Sequence, residues 1–389
     1  MGCWSDDLPP ELLSLISTLL TKNSDYILFR SVCVSWRRAA ASQPRHLPLQ
    51  PPLLIRFNTI NSAYRGFYSI STNITHWIHL PETLHKRCCG SSHGWLAFVD
   101  RSLEVFLFNP LTRARIDLPA ITTLDCVQDD YRASNRWNEY GVLRIGYKKF
   151  RSSIWTRDYC IEKIVLSSSP HAGVPWTAMA LLGLTGDIMF WRPGDANWTV
   201  IVRRRRTLDI VCYNGLFYSI DNAGKLVAVD VDADPSADAK TTVVVHRSFD
   251  TLGDRKYLVE SDGEILLAVR YVHAFYGLRH THRTHSFDIY KLDLKGEPKC
   301  SMVKSLGGRA LFLGTNHSFS FPSADFPGCR GNCIYFTDDL QGYVYRSFGG
   351  YGSGLFNIEE DSVQPFPCYH PIDSRFVWPL PVWITPNLC

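Results

Sequence analysis

Apolar residues recur every three or four positions near the start of the chain and every second position almost everywhere after it. Between Leu8 and Ala40, the spacing of Leu12, Leu13, Ile16, Leu19 and Leu20 predicts a helix. Pro9 and Pro10 stand at its start, where proline's fixed φ suits a first turn. Ser24 and Asp25 offer a cap for a second short helix over Tyr26 to Phe29. Val32, Cys33 and Trp36 make a third apolar stripe, with Arg37 and Arg38 facing away from it. The helical pattern stops near Gln43-Pro44, and the proline-rich run from Pro44 to Pro52 reads as a linker.

Beyond the linker come short strands separated by turn residues. GWLAFVDRSLEVFLFNP, Gly94 to Pro110, predicts two strands joined through Asp100-Arg101-Ser102. NGLFYSIDNAGKLVAVDVD, Asn214 to Asp232, has the same form with its turn at Asn222-Ala223-Gly224. SDGEILLAVRYV and HSFDIYKLDL repeat it around a long inserted loop, GNCIYFTDDLQGYVYRS (Gly331 to Ser347) repeats it again, and DIMFWRPGDANWTVIV (Asp187 to Val202) is a looser member. The units recur at roughly 40–60 residues, the period of propeller blades. So many strands must close or stack to remove their edges. The expected fold is mainly β: a three-helix unit over residues 3–43, a linker over 44–52, and a β-propeller of about six blades, with seven as the alternative count, over 53–389. The strands at Leu53 to Ile60 and Val377 to Ile384 are expected to meet and close the ring.

Composition narrows the partners. A net charge of +4 over 389 residues is too weak for a nucleic-acid footprint, and no apolar run nears the roughly 20 residues that cross a bilayer. Neither nucleic acid nor membrane is expected. Acidic residues in MGCWSDDLPP stand where a secretory signal would carry base, which implies a reducing compartment, the nucleus or cytoplasm. The twelve cysteines are then expected as thiols, and the sequons at Asn73 and Asn197 as unused. Met1-Gly2-Cys3 lacks the Ser or Thr at position six that myristoylation wants; Asp6 stands there.

Several stretches carry candidate chemistry. Gly90-Ser91-Ser92-His93-Gly94 matches a hydrolase elbow in letters, yet a strand rather than a helix follows, so a turn is expected. Asp230-Val231-Asp232-Ala233-Asp234 opens like a calcium loop but has Pro235 and Thr241 where Gly and Glu belong. HAFYGLRHTHRTH holds His273, His280, His282 and His285, but Arg279 and Arg283 oppose a cation, so it reads as a polar loop. Cys329 and Cys333 have no second pair for zinc, and GGYGSG lacks a phosphate loop's Lys-Ser/Thr. Arg203, Arg204, Arg205 and Arg206 suit a hairpin loop, an import signal or a patch for an acidic partner. No catalytic residue, metal or cofactor is expected. A propeller enzyme with a channel active site is the remote alternative, and a convergent set of titratable groups in the channel is what would favour it.

Leu8-Pro9-x-Glu11-Leu12-Leu13, an apolar helix, then Phe29-Arg30-Ser31-Val32-Cys33-x-Ser35-Trp36-Arg37 resembles the F-box. GSSHGWLAF, FNPLTRARIDLP, NGLFYSIDNAGKL, YLVESDGEILL, SLGGRALFLGTNHSFSF, GNCIYFTDD and PVWITP resemble the plant family in which an F-box precedes a KIB-type propeller-like domain. The resemblance implies a substrate-recognition subunit of an SCF-type ubiquitin ligase, bound to a Skp-type adaptor and through it to cullin and RING proteins. A scaffold or competitor acting outside the ligase is the alternative it leaves open. A unit of about 40 residues buries too little surface to stand alone, so its apolar side chains are expected under the adaptor. The expected adaptor contacts are Leu8, Pro9, Leu12, Leu13, Ile16, Leu19, Leu20, Val32, Cys33 and Trp36, of which Leu13, Leu20 and Cys33 could instead pack the helices on each other. For the client, an unidentified protein for which the resemblance points to a kinase, the candidates are Arg203 to Arg206, Arg279, His280, His282 and Arg283. Arginine grips carboxylate and phosphate, so an acidic or phosphorylated segment would suit them.

Overall fold

The computed structural model describes residues 8–41, 44, 46–47, 50–57, 62–124, 127–128, 142–145, 148–170, 173–183, 185–202, 206–231, 240–245, 253–275, 281–294, 299–339, 352–368 and 380–388. Three helices open it: α1 (Pro10–Leu19), α2 (Asn23–Ser31) and α3 (Val34–Ala39). Neither α1 nor α2 has a side-chain hydrogen bond at its N-cap, Pro9 and Lys22; α2 starts at Asn23, ahead of the Ser24 and Asp25 expected to cap it. Helices this short and uncapped depend on tertiary packing. Leu13, Tyr26, Phe29 and Ala40 supply it, with the Phe29 and Trp36 rings 4.5 Å apart.

Strands follow. Blade 1 holds β1 (Leu53–Phe57), β2 (Tyr64–Ser69) and β3 (Ile74–His79), and blade 2 holds β4 (Arg87–Ser92), β5 (Trp95–Val99), β6 (Val105–Phe108) and β7 (Arg115–Leu118). A small sheet of β8 (Val127–Gln128), β9 (Val142–Ile145) and β10 (Lys148–Ser152), followed by α4 (Ser153–Tyr159), lies in the connection to blade 3. Blade 3 is β11 (Ile161–Leu166), β12 (Ala178–Leu182), β13 (Ile188–Trp191) and β14 (Thr199–Val202). Blade 4 is β15 (Thr207–Tyr213), β16 (Leu216–Asp221), β17 (Leu226–Asp230) and β18 (Lys240–Val245). Blade 5 is β19 (Arg255–Ser261), β20 (Glu264–Phe275), β21 (Thr281–Asp293) and β22 (Lys299–Met302). Blade 6 is β23 (Arg309–Leu313), β24 (Phe319–Pro322), β25 (Cys333–Phe336), β26 (Gly354–Asn357) and β27 (Ser362–Gln364). The last strand, β28 (Val382–Ile384), pairs with β1 and completes blade 1.

Among the described residues there are seven sheets, and six of them form the ring. Strict alternation explains how. Each blade sends successive side chains to opposite neighbours, so both of its faces are buried. Leu96 and Phe98 meet Ile55 and Val382 of blade 1, whereas Trp95 and Ala97 meet Ile164 and Ala180 of blade 3. The same interlock continues through Met179 with Ile210, Val211 with Leu258, and Val259 with Leu311. Phe312 and Tyr335 of blade 6 then meet Leu54 and Trp383 of blade 1. Blades 2 and 3 touch directly, which leaves the β8–β10 sheet outside the ring. The expected closure is observed: Leu53 faces Ile384 and Ile55 faces Val382 across one antiparallel ladder.

Blade 6 breaks the meander. β23 pairs antiparallel with β24 and parallel with β25, so the chain crosses over before continuing outward. The antiparallel partner of β25 among the described residues is β26, at Gly354–Asn357, whereas the sequence pattern puts the second strand before Ser347; residues 340–351 lie outside the described ones.

Three blades share one turn. His93-Gly94, Asn214-Gly215 and Asp262-Gly263 all have positive φ at both positions, the conformation that joins twisted strands through two residues. Gly94, Gly215 and Gly263 close this turn. Inner strands β4, β11, β15 and β19 run parallel. At one end Leu166 N–H donates to Ser92 Oγ and Tyr213 Oη to the Gly263 carbonyl; at the other Arg87 reaches the Ile161 carbonyl. The molecule therefore has two loop faces. One carries the three shared turns and the β6–β7 turn; the other carries Arg206, the Asn222–Gly224 turn and the Phe275–Thr281 end of the β20–β21 ladder.

Candidate functional site

The helices present two unlike sides. Leu12, Leu15, Ile16 and Leu19 line one stripe of α1 at the i, i+3, i+4, i+7 spacing and all are exposed, Leu19 at 71%. Leu28, Val32 and Val34 extend the apolar surface from the other two helices. Of the sequence-based contacts, Pro9, Leu12, Ile16, Leu19 and Val32 are exposed, while Leu8, Leu20, Cys33 and Trp36 are half-buried. Leu13 is corrected: at 1% exposure it sits among Tyr26, Phe29 and Ala40, out of reach of any partner. The helical period could have yielded Leu15, which shares the stripe; Leu28 and Val34 had no such signal. The expectation that a partner alone covers these helices is also corrected, because Leu111 and Leu388 of the propeller pack on their inner side.

The second candidate region is the face that bears Arg206 and the β20–β21 hairpin. The sequence took HAFYGLRHTHRTH for a loop, but pairing continues out to Phe275 opposite Thr281, with a bulge between Tyr271 and Val272. Two buried polar residues explain why a stretch without apolar alternation stays in the sheet. Thr284 Oγ1 accepts from Arg270 Nε at 2.8 Å, and His282 Nε2 lies 2.9 Å from Asp338 Oδ1. His282, 5% exposed, is thereby withdrawn from any client surface, a correction to its assignment. Arg206 and Arg283 are exposed, while Arg203, Arg204, Arg205, Arg279 and His280 lie outside the described residues. The His273 and His285 rings stand 4.3 Å apart, but no group of three metal-ligating side chains forms among the described residues.

The loop between β23 and β24 reaches into the channel. His317, in the loop between β23 and β24, donates its N–H to the Ser91 carbonyl of blade 2 and accepts the Cys212 N–H of blade 4 at Nε2. A residue of blade 6 that touches blades 2 and 4 lies on the ring axis. Toward the hairpin side, titratable groups do converge, as the enzyme alternative required. Lys163 Nζ meets Asp209 Oδ1 at 2.5 Å, and Asp209 Oδ2 takes the Leu258 N–H. Arg255 reaches both Glu162, at 2.5 Å, and Asp339, at 3.4 Å; Arg270 and Tyr257 also bind Asp339. Three cations face three carboxylates, and each is held by another. The set joins blades 3, 4, 5 and 6, and among the described residues no nucleophile, base and orienting group stand in line in it.

Burial holds His93 below the ordinary histidine value, and burial together with His93 and Lys163 holds His317 well below it. Unfolded histidine binds a proton near pH 6.5, so below that pH the unfolded chain gains protons the folded one refuses. Stability is thus expected to fall on acidification, by up to about 1.4 kcal/mol per pH unit for each histidine. Asp158 and Asp209, raised by burial, act in the opposite sense at lower pH and are common to both proteins in a comparison. Urea unfolding of wild type and His317→Gln at pH 7 and pH 5 should show the smaller acid loss in the variant. Equal losses would show that His317 is not the source.

Residues 67–357 match the family model described as the KIB1-4 beta-propeller. The chain belongs to this family. It is 29% identical over 417 residues to F-box protein SKIP23 of Arabidopsis thaliana, covering 98% of this chain and 95% of that protein. It is 26% identical over 415 residues to the F-box protein At2g17036 of the same plant, covering 97% and 94%. These alignments include the helices as well as the ring. A plant F-box protein with a KIB-type propeller is what the motifs implied, and the fold, six blades preceded by three helices, agrees.

Proposed function

We propose that this KIB-family protein is a non-catalytic substrate receptor of an SCF-type ubiquitin ligase. Residues 3–43 bind the Skp-type adaptor, 44–52 link, and 53–389 recognise the client, in the nucleus or cytoplasm. The observation that carries this is the exposed apolar stripe of Leu12, Leu15, Ile16 and Leu19 beside Leu28, Val32 and Val34 on helices with the F-box pattern. Such a patch on a small helical unit marks a protein interface. Catalysis by the receptor is proximity: it raises the effective concentration of a client lysine beside a ubiquitin thioester carried by another chain. The self-paired channel supports this, since its charges are spent on joining blades. Arg206 and Arg283, on the face away from the helices, suit an acidic or phosphorylated segment of the client.

Each leucine covered on binding is worth roughly 1.5–3 kcal/mol, so Leu12→Asp/Leu19→Asp should weaken adaptor capture by about 100-fold or more. Both sites are exposed, so the melting temperature should stay within a few degrees of wild type. Undiminished capture of a purified Skp-type adaptor by the folded variant would overturn the proposal.

A further inference from the structure

The helices do not depend on the linker alone for their place. Beyond the closing strand β28, the chain runs across the turns of blade 2 and ends its described course inside the helical core. Leu388, 8% exposed, packs there with Leu13, Tyr26, Phe29 and Ala40. Asn387 is fixed just before it. Its carbonyl accepts from Asn109 Nδ2 at 3.0 Å, and its own Nδ2 donates to the His93 carbonyl at 3.3 Å. Gly94, at φ +83°, leaves the room that Asn387 occupies; a Cβ there would come within 2.5 Å of the Asn387 Cβ. Fully buried Asn109 also shapes the other half of the contact. Its Oδ1 accepts the N–H groups of Leu111 and Thr112, at 3.0 and 3.2 Å, and that turn sets Leu111 against the same helical core.

One buried asparagine thus holds two apolar side chains, Leu111 and Leu388, which clasp the inner side of the helices while the leucine stripe on the outer side stays open. We infer that Asn387 and Leu388 are positioning residues for ubiquitin transfer. They fasten the adaptor-binding helices to blade 2, so that the opposite loop face is held at one distance and orientation from the ligase. This rests on the receptor reading. A client on a loosely tethered propeller would sample a larger volume and spend less time near the thioester, whereas a fastened one does not. The clasp touches neither adaptor nor client, so its loss separates capture from transfer.

The test uses the full chain, alone and with the purified adaptor, in wild type, Leu388→Asp and Leu111→Asp. The two variants break the clasp from different segments, Leu111 on the β6–β7 turn and Leu388 beyond β28, so a failure of one to fold leaves the other. Small-angle scattering of the chain alone should give a single compact particle for wild type and a wider distribution, with a larger radius of gyration, for both variants. Adaptor capture should stay within about 3-fold of wild type, because the outer stripe is intact. With a cullin–RING core and a charged conjugating enzyme, modification of the receptor's own propeller lysines should slow several-fold and spread over more sites. A variant as compact as wild type, or an unchanged lysine pattern, overturns the inference. Failure of wild type to capture the adaptor would instead sink the receptor reading, and the scattering of the chain alone would still decide the clasp.

Discussion

Asp339→Ala is expected to destabilise the propeller by about 3–5 kcal/mol, the range for removing one partner of a buried ion pair. Asp339 is 1% exposed and carries three bonds: Tyr257 Oη at 2.8 Å, Arg270 Nη1 at 3.1 Å and Arg255 Nη2 at 3.4 Å. Without it Arg270 keeps the carbonyls of Thr337 and Gly352 and the hydroxyls of Thr284 and Tyr257, but loses the one carboxylate it is hydrogen-bonded to, and only the Asp338 charge remains to offset its own. Burial alone would pull both guanidinium groups down. Glu162 and Asp339 more than reverse this for Arg255, as Tyr257 and Asp339 do for Arg270. The penalty should therefore come from the stranded cation more than from the lost contacts. Asp339→Ala/Arg270→Met separates the two, because it removes both charges and should recover part of the loss. Urea unfolding measures all three proteins. A single-variant loss under about 1 kcal/mol would mean that water reaches the site and screens it.

How much of this was legible in the sequence depended on which residues touch. Period-two alternation marks strands and turn residues space them, so the ring could be read, as could its closure by a strand within Val377 to Ile384. Alternation does not name partners. In blade 6 it could not show that β25 would lie parallel to β23 after a crossover. The outer part of the β20–β21 hairpin, His273 to His285, reads as a loop because its inward residues are His282 and Thr284, which are held by Asp338 beyond β25 and by Arg270 of β20. A polar strand looks like a loop until its distant partner is known. The helices repeat the lesson. Their period placed Leu12 and Leu13 alike, yet Leu111 and Leu388, roughly 100 and 375 residues further along, decide that Leu13 faces inward.

Trp383→Ala should cost about 3–5 kcal/mol as well, by creating a cavity where the ring closes. Trp383 is fully buried in a strand of only three residues, and its indole packs edge-on against Phe312, Tyr335 and Phe366, with centroids at 5.1, 6.1 and 5.5 Å. Leu54 of blade 1 and Phe312 and Tyr335 of blade 6 share this cluster, so one side chain joins the first and last blades. The ladder from Val382 to Ile384 is too short to hold the ring shut without it. The Trp383 Nε1–H is buried without a hydrogen-bond partner among the described residues, so Trp383→Phe gives up ring area but also relieves an unmet donor. It should lose less than about half of what the alanine variant loses. Because β28 leads directly into Asn387 and Leu388, opening at Trp383 should also free the helical clasp. Hydrogen exchange can check this: amides of β1, β28 and the three helices should lose protection together in Trp383→Ala, while those of blades 3 and 4 keep it. Helices that stay protected while β28 opens would show that closure and clasp are independent.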